Sequence, residues 1–183
     1  MHKLFLILFL FCKGPNIEFE LAQLSKNKKL SAEELSYSLA SKLLGNTLKN
    51  FQIEKNKDAY DIYINYGNDR AYTFQSQNQY AERMQFDIVK LIINLFVFLK
   101  DTPISSLRIS YSKPFFVKTN DREHTEEFEI FRVKVFFSDL KNISGLKFIH
   151  DKKKMDSDIR ENFNKVRLVW KIEMNETARI ELK

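Results

Sequence analysis

The feature that most constrains the fold is a long apolar stretch, ending at Leu99, that contains very few polar residues. These polar residues are spaced four, three and four positions apart, at Arg83, Asp87, Lys90 and Asn94. Because an α-helix turns by about 100° per residue, this spacing places all four on one narrow stripe and leaves the rest of the surface apolar. Such a helix must be covered on most of its sides by other parts of the chain. The pattern therefore predicts a central structural helix over residues 79–100.

A membrane span is the competing interpretation of this stretch. A bilayer core about 30 Å thick requires roughly 20 predominantly apolar residues in a helix. The apolar part, residues 86–99, has fourteen residues and includes charged ones. This length is typical of a buried core helix, which is the interpretation we favour.

A second helix has clear boundaries at both ends. Ser31 and Glu34 have the spacing of a capping box, in which each side chain accepts a hydrogen bond from the other residue's backbone amide. Leucines then recur every four residues, at Leu35, Leu39 and Leu43. Gly45 follows as a C-terminal stop. The sequence predicts a helix over residues 32–44.

The remaining patterned segments have the two-residue period or apolar content of β-strands. They are residues 48–53, 59–66, 71–75, 105–112, 126–137 and 165–173. The polar stretch 151–161 is interpreted as a loop or short helix. The order of elements indicates an α+β fold, with an antiparallel sheet of five or six strands. We expect the long central helix and the shorter N-terminal helix to lie on one face of that sheet.

The chain begins with a positively charged and then apolar leader. Lys3 is followed by eight consecutive apolar residues, Leu4–Phe11, which span only about 12 Å as a helix. This is too short for a bilayer but is the size of the apolar region of a signal peptide. We interpret residues 1–11 as a signal segment.

The leader ends at Leu10-Phe11-Cys12-Lys13, which resembles the processing site of bacterial lipoprotein precursors. In that family a cysteine after a short apolar run is lipidated and becomes the new N-terminus. Phe11 stands where a small residue is usual, and this looser form, with a lysine after the cysteine, is similar to spirochaetal lipoproteins. The resemblance implies lipidation of Cys12 with several acyl chains, enough for stable membrane attachment. A cleaved secretory signal and a cytoplasmic protein with a buried N-terminal strand are the alternatives.

These boundaries predict a tether over residues 12–29 and a single α+β domain over residues 30–183. The expected location is the bacterial cell envelope, with the membrane as a partner through the lipid anchor. The net charge of +6 comes from 30 basic and 24 acidic residues that alternate along most of the chain. A nucleic-acid-binding protein concentrates its basic residues on one stripe, so no nucleic-acid partner is expected.

The sequence contains no recognisable motif for catalysis or for metal binding. Cys12 is the only cysteine, and His124 and His150 lie in charged segments without a second ligand at a suitable spacing. A glycine-rich phosphate loop, a nucleophile elbow and an HExxH helix are all missing from the sequence. We therefore expect a non-catalytic protein without a cofactor or metal.

The predicted strand 126–137 has apolar residues on both faces, although a one-sided antiparallel sheet should be polar on its outer face. The second face forms a candidate interaction surface consisting of Phe128, Ile130, Arg132, Lys134 and Phe136. The favoured function is an envelope module that binds another envelope protein or organises an assembly. The alternative is a carrier of an apolar ligand, which requires a cavity of hundreds of Å³ between the central helix and the sheet.

The lipoprotein interpretation makes Cys12 the anchor. Cys12→Ala should move the protein from the detergent phase to the aqueous phase of a phase-partitioning assay, because the acyl chains lose their attachment site. The circular dichroism spectrum of the folded domain should not change. Unchanged partitioning, or a mature N-terminus at another residue by mass spectrometry, would contradict the prediction.

Overall fold

A computed structural model describes residues 16–67, 77–119, 122–150 and 157–177. The N-terminal half contains α1 (Ile17–Ser25), α2 (Ala32–Leu44), β1 (Leu48–Asn56), β2 (Ala59–Gly67) and α3 (Gln77–Leu99). The C-terminal half contains β3 (Ile104–Thr119), β4 (Arg122–Phe136), α4 (Phe137–Lys141), α5 (Ser157–Val169) and β5 (Lys171–Asn175). The predicted α+β class is confirmed.

The five strands form one sheet in the order β1-β2-β3-β4-β5. Three of the four neighbouring pairs are antiparallel, as predicted, whereas β2 and β3 are parallel. The parallel pair arises because α3 connects the two strands: 23 residues of helix span about 35 Å and return the chain to the end of the sheet where β2 began. The expectation of a wholly antiparallel sheet overlooked this strand–helix–strand unit.

The predicted central helix is confirmed as α3. Its side chains Ile88, Ile92, Leu95 and Leu99 are at most 1% exposed. They belong to one apolar core with the helix-facing residues of the three central strands, which are Ile62, Ile64, Leu107, Ile109, Val133 and Val135. Helices α2, α4 and α5 contact α3 from its other sides, the last two through the ring pairs Phe96–Phe137 and Phe86–Phe163.

Across the described ranges, no helix is both long enough and apolar enough to span a bilayer.

The N-terminal end of α2 has the predicted capping box. The Ser31 hydroxyl accepts a hydrogen bond from the Glu34 amide at 3.1 Å, and the Glu34 carboxylate accepts one from the Ser31 amide at 2.8 Å. This backbone hydrogen bond, together with the one from the Ser31 hydroxyl, lowers the pKa of Glu34. Gly45 has a φ of 54° at the C-terminal end, where glycine avoids the strain of a side chain. All of the information for this helix is local in sequence.

The folded structure begins earlier than the predicted domain boundary at residue 30. Within the expected tether, Ile17–Ser25 forms α1, whose Leu21 side chain is fully buried. An ion pair of 2.6 Å between Glu20 and Lys42 also joins α1 to α2. The predicted boundary is wrong because Leu21 and Leu24, which have helical spacing, both pack against the core. This packing makes the segment part of the folded domain.

The predicted strand 165–173 is wrong over its first half. Helix α5 continues to Val169, and only Lys171–Asn175 forms the strand β5. The buried residues Phe163, Val166 and Trp170 are spaced three and four apart, which is the helical period. The polar stretch that we interpreted as a loop or short helix contains the start of α5. The predicted strand 71–75 lies outside the described residues.

The apolar contacts of α3 should dominate the stability of the domain. Ile92→Ala should lower the free energy of unfolding by about 2–5 kcal/mol, because it removes a fully buried side chain and leaves a cavity. Glu82→Ala, at an exposed position of the same helix, is the matched control and should change it by less than about 0.5 kcal/mol. Denaturant unfolding curves measure both values, and equal effects would contradict the orientation of α3.

Candidate functional site

The five residues of the predicted interaction surface do not share one face of β4. Arg132, Lys134 and Phe136 lie on the face opposite α3, with their side chains partly exposed. Ile130 is only 2% exposed and belongs to the core. Phe128 is 44% exposed, but it lies on the other face of the sheet, where its ring packs against Phe115.

A β-bulge explains this separation. Tyr111 pairs with Phe131, but the next residue of β3, Ser112, pairs with Glu129, so that Ile130 is an additional residue on β4. An additional residue reverses the alternation of side chains beyond it. A strict two-residue period assigned Phe128 and Ile130 to the same face as Arg132, and this assignment is corrected by the bulge.

The face of the sheet opposite α3, which we call the open face, is polar across all five strands. Its side chains are Gln52, Glu54, Asp61, Tyr63, Asn65, Ser106, Arg108, Ser110, Ser112, Glu129, Arg132, Lys134, Phe136, Lys171 and Glu173. The ring contacts between helices and sheet, such as Tyr37–Phe51 and Trp170–Phe131, are made on the other face. Within the described part of the chain, the open face is therefore a large polar surface, and these ring contacts with the helical side of the molecule are made on the opposite face.

The centre of the open face is a row of small residues hydrogen-bonded to their neighbours. Ser106 donates to the Asp61 carboxylate at 2.5 Å, and Ser112 donates to the side-chain carbonyl of Asn65 at 2.9 Å. Ser110 donates to Glu129 at 2.5 Å. Because these three serines are buried, each hydrogen bond offsets the desolvation of its hydroxyl. These hydrogen bonds also fix the positions of the Asp61 and Glu129 carboxylates and of the Asn65 side-chain amide.

Two arginines on the open face are held in ion pairs across or along the strands. Arg132 binds both carboxylate oxygens of Glu129. Arg108 reaches past β4 to Glu173, with its Nε 2.8 Å from a carboxylate oxygen. Two-point contacts of this kind fix the orientation of a guanidinium group. The charges on this part of the surface therefore have defined positions.

Lys134 and Lys171 differ from these arginines. They are directly opposite each other on β4 and β5, an arrangement that is unfavourable for like charges. Both ammonium groups lie 5.0 Å from the centre of the Phe136 ring, which attracts cations through its face. In the portion of the chain that is described, neither lysine forms an ion pair with a carboxylate. The cluster of Lys134, Phe136 and Lys171 is therefore a concentration of positive charge in which neither lysine is held in a close ion pair.

A polar groove of about 420 Å³ crosses the open face beside this cluster. It is lined by the side chains Gln52, Glu54, Asp61, Tyr63, Arg108 and Lys134. Desolvation by partial burial raises the pKa of Asp61, but hydrogen bonds from Ser106 and Asn56 and the charge of Lys134 outweigh it and lower the pKa. Asp61 is thus held as a carboxylate. The groove has acidic groups at the β1–β2 side and basic groups at the β3–β4 side.

The structure gives the two histidines separate surroundings. His124 Nε2 is 2.6 Å from the carboxylate of Glu126, and His150 Nε2 is 2.8 Å from that of Glu18. Among residues 16–67, 77–119, 122–150 and 157–177, no group of three or more histidine, cysteine, aspartate or glutamate side chains is arranged to hold a metal ion. The predicted lipidation site, Cys12, lies outside the described residues.

Comparisons with known proteins find no match for this chain among family models, curated proteins or solved structures.

Most of the open face was missed by the sequence analysis, although a signal for it was present. In the predicted strand 105–112, polar residues alternate with Leu107, Ile109 and Tyr111, and they are Ser106, Arg108, Ser110 and Ser112. This alternation indicates a sheet with one solvent-facing side. The partners of these residues on β2, β4 and β5 depend on strand order and register, which the alternation does not specify.

The network around Asp61 predicts a measurable titration. Ser106→Ala should raise the pKa of Asp61 towards its ordinary value, because the carboxylate loses a hydrogen bond that stabilises its charged form. Because the pKa of Asp61 is lower in the folded state than its unfolded-state value of about 3.9, the Asp61 carboxylate stabilises the fold at pH values above 3.9. This stabilisation is lost as the pH falls through the folded-state pKa. The variant should therefore lose less of its stability on acidification. Carbon-detected NMR titration measures the pKa, with Ser138→Ala as control; an unchanged pKa would contradict the network.

Proposed function

We propose that this protein is a non-catalytic lipoprotein of the bacterial cell envelope, and that its domain binds another envelope protein through the open face. The observation that carries the proposal is a whole face of a five-stranded sheet whose polar and charged side chains have defined positions. A sheet normally has helices or a second sheet on a face that is buried. The polar composition of the open face allows it to be exposed to water in the free protein and covered by a partner in a complex.

The dimensions of the open face suit a protein partner. Five strands spaced about 4.8 Å apart, with roughly eight residues of 3.3 Å each, cover on the order of 600 Å². A standard protein–protein interface buries about 800 Å² on each partner. The open face with its rim is therefore close to the size of one side of such an interface.

The charges of the open face indicate the chemistry of the partner. The face carries four basic residues, Arg108, Arg132, Lys134 and Lys171, and four acidic residues, Glu54, Asp61, Glu129 and Glu173. Charges of both signs at fixed positions contribute more to the specificity and orientation of binding than to its affinity. The Lys134–Phe136–Lys171 cluster favours an acidic group on the partner, since among the described residues neither lysine has a carboxylate at ion-pair distance.

The proposed anchor limits where the partner can be found. If Cys12 carries the acyl chains, the five residue steps to Ile17 at the start of α1 span at most about 18 Å. The domain would then stay close to the membrane surface. The proposed partner is accordingly a membrane protein, or another protein anchored on the same side of that membrane.

The alternative function, a carrier of an apolar ligand, has less support. It needs an apolar cavity between the central helix and the sheet, but Ile88, Ile92 and Leu95 are at most 1% exposed in that interface. A cavity of about 540 Å³ beside the polar stripe of α3 does reach Tyr66 and Tyr111 of the sheet, but its lining includes the charged groups of Arg83, Asp87 and Lys90. The filled apolar core under Ile88, Ile92 and Leu95 favours the interaction module.

The proposal assigns a central role to Lys134. Lys134→Glu should reduce recovery of the partner about tenfold from detergent-solubilised native envelope, because the reversed charge repels the acidic group that the cluster binds. Quantitative mass spectrometry after chemical cross-linking measures this recovery. Lys141→Glu, an identical charge change at an exposed position of α4, is the control and should have no effect. Equal recovery with both variants, or no protein enriched by the wild type, would contradict the proposal.

A further inference from the structure

The open face has charges of opposite sign on its two halves. On the β1–β2 half, the carboxylates of Glu54 and Asp61 are directly opposite each other in the strand register. On the β4–β5 half, Lys134 and Lys171 are directly opposite each other. The other four charged residues of the face join in the two arginine–glutamate ion pairs described above. The face therefore has two adjacent negative charges on one side and two adjacent positive charges on the other.

Neither of these like-charge pairs is neutralised at contact distance. Within the described residues, Glu54 forms no ion pair, and Asp61 accepts its hydrogen bonds from neutral side chains. Lys134 acts on the charge of Asp61 across β3, but the two groups do not form a salt bridge. Like charges directly opposite each other on neighbouring strands are unfavourable. Each half of the open face is therefore stabilised when a partner brings the opposite charge to it.

A second copy of the same face is complementary to the first. When two sheets face each other, a two-fold axis parallel to the strands and over β3 places β1 and β2 of one copy over β5 and β4 of the other. Glu54 then faces Lys171 of the second copy, and Asp61 faces Lys134. The register shifts the acidic pair by two residues, about 7 Å, along the strands from the basic pair. Sheets pack about 10 Å apart, so glutamate and lysine side chains from both copies span this shift.

The other two-fold axis that brings the faces together is unfavourable. An axis between the sheets but perpendicular to the strands places β1 over β1 and β5 over β5. Carboxylates then face carboxylates, and lysines face lysines. Like charges placed against each other destabilise an interface. The charge pattern thus selects the axis parallel to the strands.

The position of the proposed anchor selects the same axis. Ile17, the first residue of α1, lines the same cavity as Tyr66 and Tyr111, which lie near the end of the sheet where β2 finishes. The proposed anchor, whose lipidated residue is Cys12, would join the folded domain at this end. A two-fold axis that relates two proteins on one membrane is perpendicular to that membrane. An axis parallel to the strands meets this condition, because it leaves both anchors at the same end of the dimer.

The size of the open face suits a dimer that forms on a membrane. Two faces of about 600 Å² bury about 1,200 Å² together, which is the lower limit of a standard protein–protein interface. Such an interface gives weak association in free solution. Anchoring both copies to one membrane raises their effective concentration and strengthens the association without any new contact.

We propose that the partner of the open face is a second copy of this chain, bound face to face about a two-fold axis parallel to the strands. The inference rests on the proposed function and names the protein that the open face binds. The charge pairs between the copies are Glu54 with Lys171 and Asp61 with Lys134, and the symmetry makes each of them twice.

An exchange of charges between two copies tests this arrangement. Full-length lipidated protein is reconstituted in phosphatidylcholine liposomes, and association is measured by energy transfer between donor and acceptor dyes on Asn164→Cys, an exposed position of α5. Glu54→Lys and Lys171→Glu should each weaken self-association about a hundredfold, because the symmetry reverses two charge pairs and each counts for about tenfold. An equal mixture of the two variants should associate as tightly as the wild type, because the exchanged charges are again complementary.

The control reverses a charge next to the interface. Lys55→Glu, at the residue after Glu54 but on the opposite face of β1, should leave self-association unchanged. Both Glu54 and Lys171 are exposed, so their variants should keep the wild-type melting temperature. Undiminished self-association of either variant, or a mixture that does not associate, would overturn the proposal.

The outcome for the wild type separates this inference from the proposed function. If wild-type copies do not associate in the liposomes, the second copy is not the partner and the inference is wrong. The proposed function is still supported in that case if Lys134→Glu lowers the recovery of a different envelope protein. Both are wrong if neither association is found.

Discussion

The burial of α3 is the interaction on which the rest of the structure depends. A helix that is apolar around most of its circumference must be covered on several sides, at about 25 cal/mol for each Å² of apolar surface removed from water. The sheet covers one side, and α1, α2, α4 and α5 cover others. Since these helices gather around α3, they all lie on the same side of the sheet. The other side is left as the open face.

The open face has a composition that follows from this arrangement. Side chains that alternate with the core residues of β2, β3 and β4 point away from α3, and a face in contact with water must be polar. The buried serines of β3 and their carboxylate partners keep charges of this surface in defined positions. Among the described residues of this face, Lys134 and Lys171 lie opposite each other without a close ion pair. The surface on which the proposed partner would bind is thus a consequence of core packing on the opposite side.

The cavity of about 540 Å³ beside the polar stripe of α3 has the same origin. Along the polar stripe of α3, neighbouring elements cannot pack an apolar surface against the polar side chains without a cost in desolvation. Asn94 is buried because the backbone of Ile149 satisfies both of its polar atoms. A cavity lies beside the charged residues Asp87 and Lys90. One helix therefore explains both the filled core and the adjoining cavity.

The sequence by itself determined the elements whose information is local. These are α2, with its capping box at Ser31 and Glu34, and α3, with its narrow polar stripe, together with the α+β class. The tertiary structure decided the parallel pairing of β2 with β3, the bulge at Ile130 that divides the predicted interaction surface, and the end of α5 near Trp170. The physical reason is that capping and side-chain period act within a few residues. Strand order, register and the neighbours of a polar side chain are set by how distant segments share one core.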